Sequence, residues 1–156
     1  MEYRDSGLIL GGRRFGESGL ILDVLTAAHG RRSGLVYGGS TRKKRADLQP
    51  GNLLSLHWRG RLESQLGRFE LAEAQRAFAT HLLHRPMALS ALASLTALLR
   101  AGLEEGDQIG SHMFDPTQVL LAEICRDETD AIWPRLYIRW ELGLLESLGF
   151  GLDMQV

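Results

Sequence analysis

The chain has 156 residues, 44% hydrophobic and 24% charged, with one cysteine and a net charge of −1. That length accommodates one ordinary domain or two small ones, no segment approaches the ~20 apolar residues that span a bilayer, and lone Cys125 excludes an intrachain disulfide framework. The near-zero net charge conceals a split: residues 1–70 carry twelve Lys and Arg against seven Asp and Glu, and residues 71–156 carry six against twelve.

The N-terminus, Met1-Glu2-Tyr3-Arg4-Asp5, has no apolar signal-peptide core, so a cytoplasmic location with no membrane partner is expected. A first strand is expected around Gly7 to Arg14. Leu20-Ile21-Leu22-Asp23-Val24-Leu25 is a β-rich run closed by Ala28-His29-Gly30. Arg31 to Tyr37 resumes an extended pattern, with Leu35 and Tyr37 on one face, and the pair reads as a hairpin. Leu53 to Leu62 gives the clearest alternation. Leu54, Leu56, Trp58 and Leu62 form an apolar face, and Ser55, His57, Arg59 and Arg61 form a polar, basic one. Pro50-Gly51 before it is a turn signal, and a last strand runs from Gly67 to Leu71. Five short strands joined by Gly-bearing turns protect their edges best by closing into a barrel. The five-stranded OB-fold is the natural candidate.

After Glu73 the period changes to 3.6. Ala74 to His84 is expected as a helix. Pro86 sits in the first turn of the next, whose Leu89, Leu92, Leu95, Leu98 and Leu99 cover most of its circumference and make it a central helix. Gly102 to Gly110 reads as an acidic loop. Asp115-Pro116-Thr117-Gln118 then resembles a helix start, and a last helix runs from Pro134 to Leu148 with Gly149 as its stop. The expected architecture is α+β: an OB barrel over residues 1–73, then a helical domain over 74–156 with a four-helix cluster.

The chemistry-bearing residues are mostly cations. Arg42-Lys43-Lys44-Arg45 follows Gly38-Gly39-Ser40 and reads as a flexible loop whose charges track phosphates, against the plain alternative of a solvated loop. Arg59 and Arg61, with His57 beside them, extend that track; Arg13, Arg14, Arg31 and Arg32 are weaker candidates. Tyr37 and Phe15 are aromatics available for base stacking or for the core, and Trp58 is assigned to the core. On the last helix Arg135 and Arg139 lie four apart near Leu136 and Trp140. A basic pair beside exposed apolar groups suits an acidic tail ending in a carboxylate, and its alternative is an ordinary salt-bridged face. His81 and His84 form too small a ligand set for zinc, so no metal or cofactor is expected. No catalytic constellation and no phosphate-binding glycine loop emerges, so an enzyme is not expected.

The order strand, Gly16-Glu17-Ser18, apolar strand, Thr26, His29-Gly30, strand, Gly38-Gly39-Ser40, basic loop, Gln49-Pro50-Gly51 resembles the N-terminal domain of the bacterial RecO DNA-repair proteins. Glu141-Leu142 through Leu148-Gly149-Phe150-Gly151-Leu152-Asp153 resembles the end of their central helical region. The resemblance implies an OB-fold followed by helices that binds single- and double-stranded DNA, anneals complementary strands and assists loading of the recombinase RecA. It implies two protein partners: RecR and the acidic C-terminal tail of the single-strand-binding protein. Members of that family usually continue for several tens of residues beyond the position of Val156, often with a cysteine-bearing zinc region. Two other functions stand beside it: an RNA-binding protein of translation, since the same barrel serves both, and an interaction module that binds no nucleic acid, with the acidic helical half as its partner surface and the basic loop serving only solubility.

Overall fold

The computed structural model describes residues 1–62 and 65–150, and for residues 43 and 71–73 the backbone alone. Gly151, Leu152 and Asp153 of the late motif lie outside the described residues. Strand β1 (Glu2–Phe15) pairs antiparallel with β2 (Gly19–Thr26) on one side and β4 (Asn52–Arg59) on the other. β2 pairs with β3 (Gly30–Val36), and β4 with β5 (Gly67–Ala77). A short parallel contact, Gly34 to Gly67 and Leu35 to Arg68, closes the ring in the order β1-β2-β3-β5-β4. Closure leaves no long unpaired edge, and this strand order is that of the expected OB barrel.

Period-two alternation fills the barrel. Ile9, Leu22, Val24, Val36, Leu54, Leu56, Trp58 and Phe69 pack inside it. Leu8, Leu10, Leu25 and Leu53 point outward and join a second core with Phe78, Leu95, Leu99 and Phe114 of the helices. β1 is therefore buried on both faces along Leu8-Ile9-Leu10, which explains an apolar run that alternation alone does not. Each outward leucine contributes roughly 2 kcal/mol by leaving water.

Several elements differ from expectation. The helix expected over Ala74 to His84 begins as strand: Ala74, Arg76 and Ala77 pair with Leu54, Leu53 and Asn52, so β5 runs to Ala77 and only Phe78–Leu82 is helical, as α2. Pairing to an existing strand outweighs local helix propensity there. Helix α3 (Pro86–Gly102) buries Ala88, Ala91, Leu92, Leu95 and Leu99 but exposes Leu89, so it is central on one face only. Helix α4 (Gln108–Arg126) starts seven residues before the expected Asp115. Asp107 is its cap, accepting from the Ile109 amide at 3.1 Å, and Pro116 lies inside the helix. Helix α5 (Trp133–Ser147) matches its expected position closely. No helix among the described residues is long and apolar enough to cross a membrane.

Two arginines fasten these parts together. Arg31 on β3 donates to both Asp23 carboxylate oxygens at 2.8–3.2 Å and to the carbonyls of Arg100 and Leu103, at 2.8 and 2.6 Å, where α3 ends. Asp23 is buried, and the hydrogen bond to it raises the Arg31 pKa. The last carbonyls of a helix lack intrahelical partners, so a guanidinium there satisfies groups that burial would otherwise penalise. Next to it, Gly30 (φ +69°) lies against α4 so closely that a Cβ would sit 2.5 Å from the Asp107 carbonyl oxygen. Arg85 does a similar task between helices. It donates to the carbonyls of Ile124 and Asp127 and to the Asp130 carboxylate at 2.5, 2.8 and 2.6 Å. Asp127 in turn accepts from the amides of Ile132 and Trp133 at 2.7 and 2.9 Å, where α5 begins. Those amides hold its pKa at about 2.

Candidate nucleic-acid interface

The basic run is a helical turn, not a flexible loop. Arg42–Arg45 forms α1. Gly38 takes a positive φ, the Thr41 hydroxyl donates to its carbonyl at 2.7 Å, and the Thr41 carbonyl accepts the amides of Lys44 and Arg45. Leu48 anchors the turn by inserting into the barrel core. Arg42, Lys44 and Arg45 are exposed, and no ion pair to any of them occurs among the described residues. The side chain of Lys43 lies outside the described residues.

Tyr37 stands just beyond β3 and is 62% exposed. Its carbonyl accepts a hydrogen bond from Lys44 Nζ at 3.1 Å, and its ring lies under the Arg68 guanidinium at 5.7 Å from the centroid. It lines a groove of about 650 Å³ with Leu35, Arg59, Arg61, Leu66 and Arg68. The structure thus brings Tyr37, Arg59 and Arg61 together and joins them to α1 through Lys44. Phe15, the last residue of β1, is also exposed but does not line this groove.

The strand register determines the charge of this groove. Glu2, Arg59 and Arg68 occupy one row across β1, β4 and β5, and His57 faces Glu70 in the next. Two arginines directly opposed repel, and the carboxylates relieve them. Arg59 pairs with Glu2 at 2.9 Å and Glu70 at 3.6 Å, and Arg68 with Glu70 at 2.8 Å. Arg59 is the main cause of a lowered Glu2 pKa. His57 is bonded to Glu2 and lies 3.5 Å from Glu70, so the polar face expected to be basic is mixed in charge. Arg61 lies in the bend after β4 rather than on the strand, and Leu62 is exposed there rather than part of the apolar face, because β4 ends at Arg59. Arg31 is committed to Asp23, and Arg32 donates to the His29 carbonyl; Arg13 and Arg14 are exposed on β1. Arg68 and Leu66 line the groove without standing out in sequence, where the usable sign is the cross-strand match of Arg68 with Arg59.

On α5, Arg135 and Arg139 are both exposed. Their apolar company is Ile132 and Ile138, 63% and 57% exposed. Trp140, expected beside them at the surface, is instead core. Its indole N–H donates to Thr117 Oγ1 at 2.9 Å, which satisfies the one polar atom of the ring and lets it be buried.

A closed five-stranded barrel in OB order, carrying a basic turn and continued by helices, defines the class. Family comparison is specific within it. Residues 1–78 match the model of the Recombination protein O N terminal, and residues 83–156 that of the Recombination protein O C terminal. The chain belongs to the RecO family. It is 56% identical over 154 residues to the DNA repair protein RecO of Hyphomonas neptunium, covering 99% of this chain and 62% of that protein. It is 42% identical over 153 residues to that of Rhodospirillum centenum, covering 98% and 59%, and 44% identical over 155 residues to that of Methylobacterium nodulans, covering 99% and 60%. The chain therefore spans about three fifths of the length of these relatives.

Proposed function

We propose that this chain acts in DNA repair as a recombination mediator without enzymatic activity. It binds single- and double-stranded DNA, anneals complementary strands and assists loading of a recombinase on single strands in the cytoplasm. The observation that carries this reading is α1: a folded cationic turn with no acidic partner among the described residues, on an OB barrel of the RecO family. Four cations on one short turn follow a phosphate backbone but are poorly fixed for base readout. In this reading residues 1–73, with Arg42, Lys43, Lys44, Arg45, Arg59, Arg61 and Tyr37, contact the nucleic acid, and residues 74–156 meet protein partners. RecR and the acidic tail of the single-strand-binding protein are the partners proposed. Arg135 and Arg139, flanked by exposed Ile132 and Ile138, are the site for the tail, where cations face its carboxylates and isoleucines its apolar residues.

Competition binding with single-stranded DNA, duplex DNA and RNA at one fixed salt concentration tests the main reading. DNA binding that falls with salt supports it; preference for RNA indicates a translation role, and negligible binding to all three indicates an interaction module. A tail peptide that binds equally well after Arg135→Ala and Arg139→Ala together places the partner site elsewhere.

A further inference from the structure

The groove beside α1 has a composition that phosphate binding does not explain. Its arginines are largely occupied: Arg59 and Arg68 are paired to Glu2 and Glu70 at 2.8–3.6 Å, which leaves Arg61 without an ion pair among the described residues. With the Met1 ammonium, which donates to the Gly60 carbonyl at 2.9 Å, four cations stand against Glu2 and the adjoining Glu70, about two net charges, whereas α1 next to it has four cations in succession followed by one acid, Asp47. The groove also exposes apolar and aromatic surface that a folded barrel ordinarily buries: Tyr37 is 62% and Leu66 52% exposed, with half-buried Leu35 between the strands. Its lining includes Gly60 and Gly67. A Cβ on Gly60 would come 2.5 Å from the ring of buried Trp58, and one on Gly67 would meet the same indole. Both positions must lack side chains because the buried indole lies against them, so the groove is lined there by main chain. The groove borders the segment between β4 and β5, one of the two loops through which OB barrels take oligonucleotides.

We propose that this groove seats an unpaired base of a single DNA strand, with Tyr37 as the stacking face and Leu35 and Leu66 as the apolar wall, while α1 takes the neighbouring phosphates. This rests on the DNA-binding reading above and adds how one strand is told from two. Bases in a duplex are already stacked and paired, so entry costs the unstacking of a pair; a base in a single strand enters without that cost. The hydrogen bond from Lys44 to the Tyr37 carbonyl ties the phosphate element to the base seat and fixes their separation.

The test uses the full chain and three ligands of equal phosphate count: a single-stranded oligonucleotide, the same strand with a central abasic run, and a duplex. The wild type binds the intact strand more tightly than the abasic one. Tyr37→Ala weakens binding to the intact strand about tenfold, the scale of one lost base stack, and leaves the abasic strand and the duplex unchanged. Tyr37→Phe retains the intact-strand affinity, because the ring and not the hydroxyl does the stacking. A 2-aminopurine in the strand is quenched by the wild type and not by Tyr37→Ala. Leu66→Ala, at a second exposed position, weakens the intact strand alone by a smaller factor. Equal wild-type affinity for intact and abasic strands overturns the base seat while sparing the DNA-binding reading. Equal loss on all three ligands in Tyr37→Ala also overturns it. Absence of wild-type binding to any of the three overturns both.

Discussion

The arginines of this chain divide into those that fasten and those that are offered. Arg31 and Arg85 are largely buried and donate to carboxylates and to the carbonyls at helix ends. Arg42 and Arg45 stand on an exposed turn with no acid bound to them among the described residues. Arg59 and Arg68 lie between these extremes, exposed yet ion-paired. The residue type is the same throughout and the environment decides its use. The excess of cations in residues 1–70 therefore overstates the charge available to a ligand.

Four measurements sharpen or break this division. The largest effect is expected at a fastening arginine. Arg31→Met removes the donors to Asp23 and to the end of α3, leaving buried Asp23 with Arg100 at 3.3 Å. A loss of about 3 kcal/mol in urea unfolding is expected, with no change in the salt slope of DNA binding; an unfolding midpoint equal to wild type contradicts the fastening role. At the offered set, replacing Arg42, Lys43, Lys44 and Arg45 by Ala does the reverse. Each single-strand phosphate contact contributes a slope of roughly −0.7 in log K against log salt, so losing two or three contacts flattens it by about 1.5 to 2. Thermal unfolding hardly moves, because exposed charges contribute little to stability. An unchanged slope in the folded variant shifts the phosphate site to Arg59 and Arg61.

Acid titration examines the joint around Arg85. Asp127 has a folded pKa of about 2, below the unfolded aspartate value of about 4, so its contribution is present above pH 4 and is lost as pH falls towards 2. Asp127→Asn cannot titrate, so its melting temperature declines less steeply than that of the wild type between pH 4 and pH 2; parallel curves assign the acid sensitivity to other groups. The smallest effect belongs to the intermediate arginines. Glu70→Gln releases Arg68 and one contact of Arg59, and single-stranded DNA binds about two- to threefold more tightly at low salt, in the range of an exposed ion pair. Weaker binding instead means that Glu70 orients these side chains productively.

The barrel was legible because Leu54, Leu56 and Trp58 repeat every second residue, and a buried face selects such a pattern. Residues 42–45 are too few to display any period, so a helical turn and a loop look alike in sequence. The start of α4 was obscured by two competing caps: Asp115-Pro116 has the more familiar spelling, while Asp107 follows a glycine of positive φ and sits where the chain meets the barrel. The groove was legible only in part. Tyr37, Arg59 and Arg61 carry charge or aromaticity that stands out, but Arg68 and Leu66 gain their place from strand register, and Glu2 neutralises Arg59 from 57 positions away. The distinct fate of Arg31 is set by Asp23 across the β2–β3 hairpin and by α3, contacts that no local pattern encodes.

Where Gly30 meets Asp107, the barrel touches α4 through main-chain atoms. Mutational tolerance at such a joint is one-sided. Position 107 is held by its backbone, so a substitution there forfeits a cap but not the contact, whereas every residue other than glycine at 30 must both adopt a left-handed φ and push the helix away. A library randomised at the two sites would return varied residues at 107 and glycine alone at 30. The lesion at 30 would have no second-site remedy among side chains, since no side chain makes the contact.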